Sequence, residues 1–208
     1  RRSAPTTVHK LILKIVNSST RQLINSSTFQ LFKMNIIDKY YPEDNELKRI
    51  LLIHSRMVAD RALLIARRHP ELQLDEAFIE QAAMLHDIGI FKTDAPGIQC
   101  FGTEPYILHG RIGAELLRQE GLSEFARVCE RHTGTGITAQ QIIERNLPLP
   151  VQDFLPETME EQVICYADKF YSKSHLERER TVEQTAKSLE KFGHDSVARF
   201  MKWAEMFE

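Results

Sequence analysis

From Asn45 almost to the C-terminus, apolar residues recur every three to four positions, and Gly and Pro fall between the segments. That period belongs to helices that bury one face, and no stretch alternates convincingly as a half-buried strand does. The expected fold is all-α, a compact bundle of about seven or more helices. "NELKRILLIHSRMVADRALLIARRH" predicts a helix that stops before Pro70, with basic residues in its last turn. "DEAFIEQAAMLHDI" predicts a second, capped by Asp75 and left at Gly89. "YILHGRIGAELLRQE" predicts a third, closed by Gly121, and a fourth runs from Leu122 to about His132. S/T-x-x-E/Q boxes at Thr138–Gln141 and Thr158–Glu161 open two more, the second carrying "VICYADKFYSKS". One last helix, from about Val182, carries Leu189, Phe192, Phe200, Trp203 and Phe207. Residues 94–105 hold two prolines and two glycines and read as a long loop.

A chain of 208 residues can bury one substantial core. Its net charge of −2 gives no reason for nucleic-acid or membrane attraction, and no apolar run approaches the roughly 20 residues of a membrane span. Three cysteines without a CxxC point to a reducing, cytoplasmic setting. Nothing specifies an oligomeric state. The charge is uneven: residues 1–33 hold six bases and no acid, which leaves 21 bases against 29 acids, about −8, in 34–208. The first 33 residues therefore read as an N-terminal extension upstream of a natural start at Met34. The remainder, 34–208, is expected to be the working domain with its C-terminal helix.

Function is carried by polar residues that lie on apolar stripes. His54 shares a face with Leu47, Leu51, Val58 and Ile65; His86 with Ile79 and Ala82; Asp87 with Ala83 and Met84 behind it. His109 goes with Ile112 and Leu116, His132 follows Leu122, Phe125 and Cys129, and Asp168 lies between Ile164 and Tyr171. One such histidine is ordinarily a core residue bonded to a carbonyl. A buried carboxylate costs several kcal/mol unless it is paired or binds metal. Four inward histidines and two inward carboxylates, from five helices, are satisfied together by a shared cation, and Fe, Mn, Zn, Ni or Co take these donors. Six ligands on one octahedral ion leave no open position, so the expectation is two divalent ions bridged by Asp87.

His54, His86–Asp87 and Asp168 match the H…HD…D signature, and the chain resembles the HD superfamily of metal-dependent phosphohydrolases; "HDIG" at 86–89 names one subgroup. "LHGRIGAELL" and "ERHTG" are similar to segments of HD-type symmetrical diadenosine tetraphosphate hydrolases. "RHTGTGIT…LPETMEEQVICYADK" is similar to a group of small HDIG proteins. The resemblance, over roughly Leu47 to Ser174, implies an HD-domain helical bundle. It also implies one metal on His54, His86, Asp87 and Asp168, and a second on Asp87, His109 and His132. The implied chemistry is attack on phosphorus by water that the metals activate. Some HD proteins with the same ligands are instead di-iron oxygenases, and a non-catalytic metal-binding sensor is a third reading.

Candidate phosphate-binding groups stand beside these ligands. Lys92 follows the dyad by five residues and Lys169 adjoins Asp168; Arg111 follows His109 and Arg131 adjoins His132. Asp87 and Lys92 are the expected catalytic pair. The outer wall is expected from 92–105, 133–138 and 147–157, around a small phosphorylated substrate such as a nucleotide.

Overall fold

The structure, a computed structural model, describes residues 36–208. The N-terminal extension expected at 1–33 lies outside the described residues. After helical residues 36–40 come α1 (Glu46–Arg68), α2 (Glu76–Leu85), α3 (His109–Gln119), α4 (Ser123–Arg131) and α5 (Ala139–Glu144). These are followed by α6 (Met159–Asp168), α7 (Val182–Leu189) and α8 (His194–Phe207). The all-α expectation holds for the bundle.

Local chemistry starts these helices. Asn45 accepts the Lys48 N–H and Asp75 the Phe78 N–H, while Thr138 and Thr181 each complete a reciprocal capping box. Thr158 caps α6, but Glu161 does not return the bond to it. The Glu161 carboxylate instead accepts the Glu157 N–H at 2.6 Å and meets Arg127 at 2.8 Å. Helix α1 runs through the centre, packed on α2 and α6, with Leu51, Val58, Ala59 and Ala62 fully buried. Tyr166 on α6 packs against Phe170, Phe200 and Phe207, so α8 closes the bundle through aromatic rings. Each fully buried ring of this kind contributes about 1.5–3 kcal/mol.

Three departures from the periodicity reading matter. Residues 93–105 are not a plain loop. They form a small sheet of β1 (Thr93–Ala95), β2 (Cys100–Phe101) and β3 (Glu104–Pro105) in the order β2-β1-β3, with a 3-10 turn (Pro96–Ile98) between β1 and β2. Helix α6 stops at Asp168, and 171–179 turn back as a hairpin of β4 (Tyr171–Ser172) and β5 (His175–Glu179). Arg61 on α1 anchors this hairpin: it stacks 3.5 Å from the Phe170 ring centre and pairs with Glu179 and Glu208. The final helix is two helices, broken at Gly193, whose φ of 97° suits glycine alone.

Close backbone approach sets the centre of the molecule. A side chain on Gly89 would collide with the His109 carbonyl and the backbone of Gly113, and one on Gly110 would collide with the Cys129 carbonyl. Gly89 itself has ordinary right-handed dihedrals, so its role is to let the turn after α2 lie directly on α3.

Candidate metal centre

The six inward polar residues come together. His54 projects from the middle of α1, and the other five stand at helix ends. His86 caps the C-terminus of α2 with Asp87 next to it, His132 caps α4, Asp168 ends α6, and His109 opens α3. Three helix C-termini thus converge on one point, and their partial negative charge favours a cation there. His86 and Asp87 are wholly buried, and the least buried member, Asp168, is only 7% exposed. Bulk solvent therefore reaches little of these groups.

Three of the four histidines are held by a neighbouring carbonyl. Nδ1 of His86, His109 and His132 each donates to the carbonyl three residues earlier, Ala83, Tyr106 and Cys129, at 2.6, 2.6 and 2.7 Å. That turns Nε2 into the cluster, where it offers a lone pair to a metal once it carries no proton, the arrangement that metal-binding histidines need. Nε2 of His109 and of His132 face each other at 3.0 Å, two acceptors with no proton between them to share.

Asp87 divides its oxygens. Oδ2 lies 3.2 Å from His54 Nε2 and 3.0 Å from His86 Nε2, while Oδ1 lies 3.4 Å from both His109 Nε2 and His132 Nε2. Asp168 Oδ1 joins the first group, 2.9 Å from His54 and 3.5 Å from His86. Neither Asp87 oxygen nor His86 Nε2 has a well-directed hydrogen bond, although Lys173 Nζ comes within 2.6 Å of Oδ2. Buried polar atoms left in this state are costly. The donor atoms of His54, His86, Asp87 and Asp168 lie within 4.8 Å of one another, as do those of Asp87, His109 and His132. Orphaned lone pairs on imidazole and carboxylate suit a divalent transition-metal ion.

Burial and neighbouring charge shape each group. Burial pulls His109 down to about 3, with His132 assisting, and burial lowers His132 as well, so both stay neutral. Burial opposes charge on His86 too, but Asp87 and Asp168 lift it to about 9. For Asp87, burial is outweighed by His86 and Lys173, and for Asp168 by Lys169 and His54; both carboxyls sit well below the usual range.

A cavity of about 200 Å3 opens onto this cluster, lined by His109, His132, Asp168, Lys169 and Lys173 among others. Lys169 is the one predicted phosphate-binding group that it reaches, with Nζ 2.6 Å from Asp168 Oδ2 and donating to the His132 carbonyl at 2.7 Å. Lys92 is not there. It ends a 3-10 turn pinned to the small sheet by the Thr103 N–H on its carbonyl, and its ammonium runs along Phe91 into solvent. Arg111 shares an outer groove with Lys92, and Arg131 is occupied by the Leu155 carbonyl at 3.0 Å and Glu157 at 2.5 Å. Nearness to a ligand in sequence does not by itself bring a side chain to the cavity: on a helix Arg131 points about 100° from His132 and Arg111 about 200° from His109, while Lys92 is carried away by its 3-10 turn. The outer wall also differs: Thr133 and Gly134 contribute, but 92–105 and 147–157 give way to residues between Tyr171 and Phe192.

Periodicity missed Lys173. It sits in the hairpin, only 12% of its side chain is exposed, and Asp87, Tyr106 and Asp168 hold it charged against the burial that would neutralise it. The one signal for it was indirect: a buried Asp87 calls for a cation as well as imidazoles.

The sequence profile of the HD domain matches residues 51–172, which include all six clustered residues. The chain belongs to the HD domain family. The enzymes of that family are metal-dependent phosphohydrolases. Over 141 residues this HD domain is 34% identical to an uncharacterised protein of Methanocaldococcus jannaschii, covering 67% of this chain and 75% of the relative. It is 32% identical over 178 residues to a tRNA (cytidine(56)-2'-O)-methyltransferase of Picrophilus torridus, covering 80% of this chain but 47% of that protein. The corresponding Thermoplasma volcanium protein is 27% identical over 172 residues, with 82% of this chain and 45% of that one covered. The chain thus spans about half the length of these methyltransferases. Its fold aligns with the HD domain of the L. monocytogenes phosphodiesterase PgpH at a TM-score of 0.44 and 16% identity, over 76% of this chain and 94% of that one. Among the described residues, no helix is long and apolar enough to cross a membrane.

Proposed function

We propose that this HD domain hydrolyses a phosphoester or phosphoanhydride of a small phosphorylated molecule, with a nucleotide favoured, at a centre of two divalent metal ions. The observation that carries the reading is the division of Asp87: one oxygen faces His54 and His86, the other faces His109 and His132. His54, His86, Asp87 and Asp168 would hold one ion and Asp87, His109 and His132 the other; Fe, Mn, Ni, Co and Zn all fit these donors. Bound there, such ions lower the pKa of coordinated water toward neutrality and draw charge from a phosphoryl group.

The chain's own residues do the rest. The carbonyls of Ala83, Tyr106 and Cys129 fix the imidazoles, so the donors need no rearrangement when they bind. Lys169 sits against Asp168 Oδ2 and Lys173 against Asp87 Oδ2, beside the cluster, where an ammonium can also grip a non-bridging phosphate oxygen as charge builds. Tyr171 and Phe192 in the cavity wall offer rings for a nucleotide's base. The three cysteines are free and buried, which suits a reducing cytoplasm. The methyl transfer named for two relatives is not carried over to this chain.

The test is metal analysis of protein purified from its native host, followed by a screen of phosphorylated compounds with that metal, in air and without it. Release of phosphate that is indifferent to oxygen is expected. Turnover that needs oxygen and iron would make the chain a di-iron oxygenase, and ligand binding without turnover would make it a sensor.

A further inference from the structure

The cavity holds more positive charge than one phosphoryl group uses. Lys169 and Lys173 lie deep and each faces a carboxylate. Farther out stand Arg180, half-buried, and Lys191, exposed. Neither of these two has an ion-pair partner among the described residues. The Arg180 side chain gives one hydrogen bond, from Nη1 to the Lys169 carbonyl at 3.2 Å, and the Lys191 ammonium lies 4.9 Å from the Phe192 ring centre.

The backbone that carries each charge is tied down. The Arg180 N–H donates to the Phe170 carbonyl at 2.9 Å, which ties it to the residues just past Asp168. The turn carrying Lys191 is tied through Phe192, whose carbonyl accepts from Gln141 at 3.2 Å and from Arg145 at 2.6 Å. Like charges fixed along one wall repel, and a bound anion relieves that cost. Lys173, Arg180 and Lys191 all lie beyond residue 172, where the family profile ends, so this wall belongs to the chain's own C-terminal segment.

We propose that Arg180 and Lys191 form a second anion subsite, so that the substrate carries another phosphate besides the one hydrolysed. The second phosphate is either chained to the first or esterified elsewhere on the same molecule. This inference rests on the phosphohydrolase reading and narrows its substrate class. The deep lysines and the ions that the clustered residues would hold take the scissile phosphoryl group, and the outer pair takes the other while Phe192 and Tyr171 flank what joins them.

Calorimetric titration of the metal-loaded protein tests it, using propyl phosphate, methyl diphosphate, and alkanediol bisphosphates of increasing chain length. At least one doubly phosphorylated probe should bind about tenfold more tightly than propyl phosphate, and added salt should erode that advantage. The probe that wins identifies the chained or the separated arrangement. Lys191→Ala should cut the ratio between the two affinities several-fold, and Lys191→Glu should bring it to one or below. Lys191 is exposed, so its substitution leaves the core untouched, and circular dichroism of each variant checks the fold. Equal binding of single and double phosphates, or an advantage that survives both substitutions, overturns the second subsite alone. Failure to bind any probe overturns the phosphohydrolase reading and the subsite with it.

Discussion

Around Asp87 Oδ2 stand His54, His86 and a second carboxylate, Asp168; around Oδ1 stand His109 and His132 alone. The first group holds both carboxylates, Asp87 faced by Lys173 and Asp168 by Lys169, and these carboxylates hold His86 up at about 9. The second is neutral apart from its share of Asp87, and burial keeps its imidazoles deprotonated. The difference teaches that two ions bound here would not be equivalent. The first should be tight but in competition with a proton, the second weaker and indifferent to pH.

The strongest way to break the comparison is to remove the residue both groups share. Asp87→Ala should lower affinity at both positions by at least about 100-fold, read as metal per chain after dialysis. If the variant keeps two ions and normal turnover, the division of Asp87 between two positions is wrong.

A smaller effect separates the groups. Asp168→Ala should weaken only the tighter step of a metal titration and His132→Ala only the looser one. In the metal-free wild type near neutral pH, His86 lies below its raised pKa and so carries its extra proton. Metal entering the first group must expel that proton, so affinity there should rise from about pH 6 to about pH 8, with about one proton released per ion. His109 is pulled to about 3 and is already neutral over that range, so the second step should stay flat. Titration in buffers of different ionisation enthalpy counts the protons. Equal release in both steps would erase the distinction.

The last contrast is between two lysines. Lys173→Met should lower kcat/KM by about 100-fold, because its ammonium stands on the Oδ2 side where phosphate charge develops. Lys92→Ala should change kcat/KM by less than about twofold, since it lies in the outer groove.

These lysines also mark the limit of what sequence shows. The six clustered residues are legible because each lies in line with an apolar helical stripe, which precedes His86, His132 and Asp168 and follows His109. Lys173 is invisible to that reading. The residues of β5 are mostly exposed, so no buried face imposes a pattern on the hairpin that brings Lys173 inward. The small sheet of 93–105 fails similarly, as strands of two or three residues are too short to alternate. Lys92 errs the other way, since nearness to the dyad in sequence does not survive a 3-10 turn pinned to that sheet. The break at Gly193 is hidden because Leu189, Phe200, Trp203 and Phe207 are all buried on either side of it, as one helix would have them.

Gly89 carries a consequence for how this centre can change. The turn bearing His86 and Asp87 rests main chain against main chain on the helix bearing His109, with no side chain interposed. The spacing between the two donor groups is therefore a ruler cut into the backbone, which rotamer changes cannot stretch. Exchanging one ligand for another retunes which ion prefers each position. Moving the positions apart requires a different turn.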